Sequence, residues 1–148
     1  MYENQRKKEK VKREEYAETA YNLGNVYFLQ LKYKEALDSY LEADRLDPGN
    51  AEYKNSIGLC HLELGNYQPA GEYFATCLEL NRKACGDGHG KVATSWNNLG
   101  LAYDSLGRCE MAIQYFKKAL PIFEKFLGKE HPSTKTVQEN LEMARKRR

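Results

Sequence analysis

The stretch Thr94–Gly107, TSWNNLGLAYDSLG, holds the chain's only tryptophan, two adjacent asparagines and a glycine between two leucines. Its order of tryptophan, leucine, glycine and tyrosine is W-x2-L-G-x2-Y, and the apolar residues recur at helical spacing. An A-x3-F pattern follows, formed by Ala112 and Phe116. The two patterns together predict two successive helices, so the first question is whether the unit is repeated along the chain.

Two earlier segments repeat the unit once Gly24, Gly58 and Gly100 are set in register. Small residues let two helices approach closely, and large residues at i, i+3, i+4 and i+7 fill the space between units. Trp96 is accordingly interpreted as a packing residue. The other matching positions, each given in chain order, are Leu23, Ile57 and Leu99; Tyr27, His61 and Tyr103; Ala36, Ala70 and Ala112; Tyr40, Phe74 and Phe116; and Ala43, Cys77 and Ala119.

This repeated pattern resembles the tetratricopeptide repeat, and the resemblance covers about residues 17–141. It implies an all-α fold, a right-handed α-solenoid of three helix-turn-helix repeats. After His131 only one more helix is expected, and it has Glu142 where the repeat has glycine. We interpret this last segment as a C-terminal capping helix that covers the final apolar face.

The spacing of the repeats divides the chain. Gly24 and Gly58 are 34 residues apart, whereas Gly58 and Gly100 are 42 apart, and the longer form is similar to the repeats of kinesin light chains. We expect the extra residues to lengthen the second helix and to form a glycine-rich loop at 85–90, and Pro121 to bend or break its helix. The predicted segments are a charged N-terminal helical extension at 1–16, repeats at 17–50, 51–92 and 93–131, and the cap at 132–148.

Composition excludes several classes of protein. The net charge of +2 gives no reason to expect nucleic acid or an acidic membrane as the main partner. No apolar run approaches the length of about 20 residues that a membrane span needs, and the charged first residues do not resemble a secretory signal. Four cysteines without a C-x-x-C pair are typical of reduced structural thiols, so we expect a soluble, cytoplasmic protein.

Motifs for catalysis or for metals are weak. The stretch CGDGHGKV at 85–92 departs from the phosphate-binding loop at its first glycine and at its hydroxyl position. Cys85 and His89 could supply two zinc ligands, whereas a structural site needs four. No nucleophile, base and orienting residue suggest themselves together. We therefore expect no enzyme activity, no metal and no cofactor.

The resemblance implies a concave groove lined by the first helix of each repeat. An asparagine amide is both donor and acceptor, so a row of asparagines can hold an extended peptide by its backbone. The alternative is that these asparagines are only polar residues on a helix face. The predicted groove residues are Glu18, Tyr21, Asn22, Asn25, Glu52, Asn55, Ser56, Leu59, Thr94, Asn97, Asn98, Leu101 and Asn140.

The character of this groove favours a protein or peptide partner with apolar and basic residues. Family members that bind chaperone tails hold a terminal carboxylate with lysine, arginine and asparagine. Only Asn25 matches that clamp, because Tyr21 and Thr94 occupy the lysine positions and Asn98 replaces the arginine, so acidic tails are disfavoured. The sequence leaves open whether the chain's own N-terminal segment fills the groove.

A second hypothesis is a structural one. The chain could self-associate, or be a fragment of a longer repeat array, and bind through its end helices or its convex face. The N-terminal segment fits this hypothesis, since it is helical in pattern but has few apolar positions. The leading prediction nevertheless remains a scaffold that binds peptides in its groove.

Overall fold

The computed structural model describes all 148 residues and consists of seven α-helices joined by short turns. Successive helices pack as pairs, α1 with α2, α3 with α4 and α5 with α6, and α7 packs on α6. The predicted all-α fold is confirmed. The helices are α1 Tyr2–Leu29, α2 Tyr33–Leu46, α3 Ala51–Glu63, α4 Tyr67–Cys85, α5 Gly90–Ser105, α6 Cys109–Leu127 and α7 Pro132–Arg147.

Inside each helix pair, the glycine of the first helix lies against an aromatic ring of the second helix. A Cβ atom added to the glycine would lie 2.6 Å from the ring in the first pair and 2.5 Å in the second. Real Cβ atoms do not come that close, so only glycine permits this helix packing. The contacts are Gly24 with Tyr40, Gly58 with Phe74 and Gly100 with Phe116.

The turn between the two helices of each pair needs one residue with positive φ. Glycine fills this position in the second and third pairs, where φ is 80° at Gly65 and 79° at Gly107. Leu31 fills it in the first pair with a φ of 62°. Because a side chain is strained in this left-handed region, the first turn is formed at a cost that the other two turns avoid.

The second helices differ in length. The helix α2 has 14 residues, whereas α4 and α6 have 19 each, and the loop between α4 and α5 covers residues 86–89. The helix α6 is continuous through Pro121, so the expectation of a break there is wrong. Pro121 is exposed, which lets water satisfy the backbone carbonyl that loses its partner.

The two ends of the stack are unlike each other. The helix α1 continues without interruption from the charged extension into the first repeat, and residues 1–16 are all exposed. At the other end, Leu141 and Ala144 of α7 are buried against Ile113 and Phe116 of α6. None of the seven helices combines the length and the apolar character that crossing a bilayer requires.

Candidate functional site

The first helices of the three pairs lie side by side. The hydroxyl of Tyr21 in α1 donates to Glu52 Oε1 in α3 at 3.0 Å, and the rings of Tyr21 and Tyr53 have centroids 5.0 Å apart. Asn98 in α5 donates through Nδ2 to Asn55 Oδ1 in α3 at 2.8 Å. The side chains predicted to share one groove are therefore carried by adjacent helices.

Three cavities follow this row of helices. Glu52 lines all three, Tyr21 lines the first two, and Asn55 lines the second and third. They have volumes of about 350, 270 and 780 Å³ in order from α1 to α5. Because neighbouring cavities share lining residues, they lie next to one another in a row, and we refer to the three together as the groove.

The first cavity is strongly acidic. Its carboxylates come from α1, from the turn after α2 and from α3, and Tyr21 and Tyr53 provide aromatic walls. Burial raises the pKa of the Tyr53 phenol above its usual value, and the nearby carboxylates raise the pKa further. The negative potential at this end of the groove favours positive charge. The four carboxylates are those of Glu14, Glu18, Asp47 and Glu52.

The second cavity is more apolar, with Phe28 and Leu59 among its walls. The hydroxyl of Tyr40 donates to Asn25 Oδ1 at 2.6 Å, and burial raises the pKa of that phenol. Ser56 also lines the cavity and is buried. This part of the groove can receive an apolar side chain next to the acidic end.

The predicted asparagine row consists mostly of bonded pairs. Asn98 is only 7% exposed and donates to Asn55, and Asn140 in α7 donates to Asn97 Oδ1 in α5 at 3.3 Å. Asn22 is exposed and lines the acidic cavity. Each pair therefore uses one donor and one acceptor to join neighbouring helices, and leaves one carbonyl oxygen and one NH2 group without an intramolecular partner.

The structure brings only part of the predicted set to the cavities. Leu101 is half-buried and packs against the apolar cluster of α6 and α7. Thr94 is exposed and lines the third cavity. Nine of the predicted residues line the three cavities, and the four that lie outside them are Asn97, Asn98, Leu101 and Asn140.

Sequence reasoning missed the residues that the second helices and the turns contribute. Asp47 follows α2, and Asn81 lies near the end of α4. Glu14 was assigned to the extension, although α1 carries it into the acidic cavity. The change in repeat spacing from 34 to 42 residues is the signal that the junction between the second and third helix pairs differs from the junction between the first and second.

The third cavity lies where α3, α4 and α5 meet and has a buried polar cluster in its wall. Asn81 Nδ2 donates to Cys77 Sγ at 3.4 Å and to Ser95 Oγ at 3.3 Å. Burial raises the pKa of the Cys77 thiol, so this thiol stays protonated. The cluster is neutral, in contrast to the carboxylates at the other end of the groove.

The histidine that resembled a zinc ligand acts as a helix cap. His89 precedes α5, and its Nδ1 accepts from the backbone N–H of Lys91 at 3.1 Å. His131 caps α7 in the same way through Ser133 at 3.1 Å. No three side chains of His, Cys, Asp or Glu come together as a metal site would require.

Known proteins share both the repeat and the fold. One tetratricopeptide-repeat family model matches residues 50–125 and another matches residues 17–50. The cell division cycle protein 16 homologs of Homo sapiens and Mus musculus are each 44% identical over 61 residues, covering 41% of this chain and 10% of the relative. The chain thus spans about a tenth of the length of these curated relatives.

Three solved structures have similar backbones. The TM-score is 0.80 for BtubC (BKLC) from P. vanneervenii, at 23% identity over 88% of this chain and 56% of that one. The TM-score is 0.76 for the TPR2B domain of yeast Sti1 in a pHsp70 complex, at 15% identity over 89% of this chain and 98% of that one. The TM-score is 0.73 for the first TPR of Spaghetti (RPAP3) bound to the HSP90 peptide SRMEEVD, at 21% identity over 90% of this chain and 93% of that one.

The similarity to kinesin light chains stays a prediction, since the matching family models describe the repeat in general. The solved structures share the fold at low identity. The larger family match alone covers half of the chain. From the repeated glycine and ring contacts, the paired helices and these matches, it follows that this chain belongs to the tetratricopeptide-repeat family.

Proposed function

We propose that the chain is a protein-interaction scaffold that binds an extended peptide segment of a partner along α1, α3 and α5. The observation that carries the proposal is the groove of three cavities, which are joined through Tyr21, Glu52 and Asn55. The solved relatives support an interaction role, since one is bound to an HSP90 peptide and another is in a pHsp70 complex. The proposal assigns no catalytic step.

In this proposal the paired asparagines hold the peptide backbone beside the cavities, because Asn55 alone of the four lines a cavity. In the pair of Asn55 and Asn98, the bond between the two amides fixes both side chains and leaves one donor and one acceptor. These two groups match the carbonyl and N–H of a single peptide unit. The pairing reduces the side-chain entropy that would be lost on binding, so it favours association.

The proposed peptide carries basic and apolar side chains. Four carboxylates surround the first cavity, and the second has Phe28 and Leu59 in its walls. A peptide such as SRMEEVD, with two glutamates and an aspartate, would meet repulsion at the acidic end. A lysine or arginine at that end and an apolar residue next to it are the better match.

Selection from a random peptide library displayed on phage tests this proposal. We expect the whole chain to select peptides that pair Lys or Arg with an apolar residue, and the double variant Glu18→Lys/Glu52→Lys to lose them. Asp38→Lys/Glu72→Lys makes the same change in charge on the exposed faces of α2 and α4 and should keep them. Equal selection by both variants, each with an unchanged circular dichroism spectrum, would place binding outside the groove.

Self-association is a second candidate, because α1 has an exposed apolar stripe. Tyr16, Leu23 and Val26 are 61%, 48% and 51% exposed, and they share one side of the helix. A repeat stacked before α1, or a second copy, would cover this stripe. A mass that rises with protein concentration in analytical ultracentrifugation would support this candidate. A constant monomer mass would leave peptide binding as the function.

The proposed location is the cytoplasm. All four cysteines are free thiols, and two of them, Cys60 and Cys77, are buried. Burial raises the pKa of the Cys60 thiol to about 12, so it is protonated and unreactive at neutral pH. Free thiols of this kind match a reducing compartment.

A further inference from the structure

The largest cavity of the groove has a wall that no backbone-binding function explains. It measures about 780 Å³ and lies between the start of α3, the end of α4 and the start of α5. Leu80 and Ala84 give it an apolar side, and Asn81 and Ser95 give it a polar one. Its size is in the range of cavities that take up ligand groups.

Asn81 directs an unused acceptor into this cavity. The hydroxyl of Ser95 donates to the backbone oxygen of Lys91 at 3.1 Å, so Ser95 Oγ must accept from Asn81. This bond fixes Nδ2 of Asn81 towards Ser95 and turns Oδ1 the other way. Asn81 is only 9% exposed, and its Oδ1 has no partner in the protein. That oxygen is not sealed from solvent, so it is accessible from the cavity.

Asn55 adds an unused donor to the same cavity. Its Oδ1 accepts from Asn98, which leaves both hydrogens of its NH2 group without a partner in the protein, one for the peptide backbone and one for the cavity. The charged side chains of the lining, those of Glu52, Lys83 and Lys91, are all exposed, so the buried part of the cavity is neutral. The buried acceptor of Asn81 and the half-buried donor of Asn55 therefore line one cavity, and each can hydrogen-bond to a ligand group.

We propose that this cavity binds a neutral carboxamide side chain, glutamine or asparagine, of the bound peptide. The inference rests on the proposed peptide-binding function and names the residue type that the third cavity selects. A carboxamide donates to Asn81 and accepts from Asn55 with one planar group. A carboxylate has no donor for Asn81 Oδ1, and its oxygens would be repelled by that oxygen. An ammonium group has no acceptor for the NH2 group of Asn55.

A titration of the whole chain followed by NMR tests the ligand class directly. The probes are N-acetyl-glutamine methylamide and N-acetyl-glutamate methylamide, which have nearly the same shape but differ in charge and in the side-chain donor. We expect the side-chain amide of Asn81 and the backbone amide of Ser95 to shift, with affinity for the glutamine probe about tenfold higher. Equal affinities, or shifts away from this cavity, would overturn the inference.

A pair of variants separates loss of the cavity from damage to the fold. Ala84 is exposed, lines the cavity and lies one helical turn from Asn81, so Ala84→Trp obstructs the space beside Asn81 without removing any hydrogen bond. Ala75→Trp adds the same bulk at an exposed position of α4 that lines none of the three cavities. We expect the first variant to lose the glutamine probe and the second to keep it. Retention of the probe by Ala84→Trp would contradict the assignment.

The phage selection distinguishes failure of this inference from failure of the proposed function. We expect Gln or Asn to be enriched at one position relative to Lys or Arg, and Ala84→Trp to lose only that enrichment. Basic enrichment without a carboxamide, or a carboxamide preference that survives Ala84→Trp, overturns the inference and leaves groove binding intact. Absence of any selection that depends on the groove overturns both.

Discussion

The two junctions between helix pairs are built from different chemistry. At the first, α2 ends in the turn of residues 47–50, and Lys54 Nζ lies 2.9 Å from Asp44 Oδ2 with both side chains mostly buried. At the second, a longer α4 ends in the loop of residues 86–89, and neutral groups of Cys77, Asn81 and Ser95 meet instead. The first junction thus combines a charged contact with the acidic cavity, whereas neutral groups line the larger cavity at the second.

The interiors of the pairs, by contrast, repeat one contact. In all three pairs an aromatic ring covers a glycine of the first helix. The repeat motif therefore fixes how two helices pair, and it leaves the junctions free to vary. Because the acidic cavity lies at the first junction and the cavity with Asn81 at the second, the two cavities of the proposed binding groove are lined by the variable contacts.

The largest expected effect comes from breaking the interior contact. Gly58→Ala would place a Cβ 2.5 Å from the ring of Phe74, which is fully buried, so the ring or the helix must shift against packed neighbours. We expect the free energy of unfolding to fall by about 2–3 kcal/mol, measured by urea denaturation. Gly71→Ala is the matched control, since its nearest neighbour would be 3.8 Å away, and it should be neutral or slightly stabilising. Equal effects of the two variants would contradict the ring-on-glycine explanation.

Breaking the charged contact at the first junction should lower the free energy of unfolding somewhat less than Gly58→Ala does. Lys54→Ala removes the cation that faces Asp44, and Asp44 Oδ1 is already buried without a partner. We expect a loss of about 2 kcal/mol in thermal or urea unfolding. In the double variant Asp44→Asn/Lys54→Met, no buried charge remains, so most of the stability should return. No recovery in the double variant would show that packing of Lys54, including its position 5.8 Å from the Tyr73 ring, matters more than charge.

Substitutions at the second junction should lower the free energy of unfolding less than those at the first junction, because the contacts there are neutral. Ser95→Ala removes one acceptor of Asn81, while the bond from Asn81 to Cys77 Sγ remains. We expect a loss of about 1 kcal/mol, smaller than that of Lys54→Ala under the same conditions. The neighbouring Thr94→Ala removes an exposed hydroxyl and is the control. A larger loss for Ser95→Ala than for Lys54→Ala would reverse the ranking of the junctions.

The turn between α1 and α2 offers a gain in the free energy of unfolding that is similar in size to the loss expected for Ser95→Ala. Leu31 has a φ of 62°, which glycine adopts without strain, and its side chain is 70% exposed. We therefore expect Leu31→Gly to raise the free energy of unfolding by up to about 1 kcal/mol. Leu29→Gly changes a similarly exposed leucine at the end of α1 and should not stabilise. A destabilised Leu31→Gly protein would mean that this leucine makes contacts that outweigh its strain.

The smallest expected effect is a pH dependence inside the second pair. His61 stands where the other pairs have tyrosine, stacks on Tyr73 at 5.7 Å, and burial lowers its pKa below the usual value. As the pH falls below about 6.5, the unfolded chain takes up a proton before the folded one does, so stability declines. His61→Tyr should lose less stability than the wild type between about pH 7.5 and about pH 5.5. Parallel pH profiles of the two proteins would exclude this histidine as the cause.

The paired helices could be predicted from sequence because the motif specifies local contacts. Gly58 and Phe74 are separated by a short, fixed distance along the chain, so their contact follows from the repeat itself. The row of first helices followed from the resemblance. Pro121 shows the limit of local rules, since its helix continues through the proline without the break that the rule allows.

The chemistry of the junctions could not be predicted in the same way. The bond between Asn55 and Asn98 joins residues 43 positions apart, and its formation depends on the angle between successive pairs. Asn81 lies on a second helix, where the resemblance gave no reason to expect a groove residue. A single sequence shows which residues can hydrogen-bond, but their partners depend on how the pairs stack.

The unbroken helix α1 has a consequence for the rate at which a partner associates. Residues 2–13 continue the same helix that lines the groove, so they project along its axis, over about 18 Å at 1.5 Å per residue. Folding back over the groove would require α1 to unwind, although the segment's lysines match the acidic cavity in charge. The N-terminal segment therefore leaves the groove open to the proposed peptide partner. Association then needs no preceding release step, and truncation of residues 2–13 should leave the second-order rate constant unchanged except for the loss of their charge.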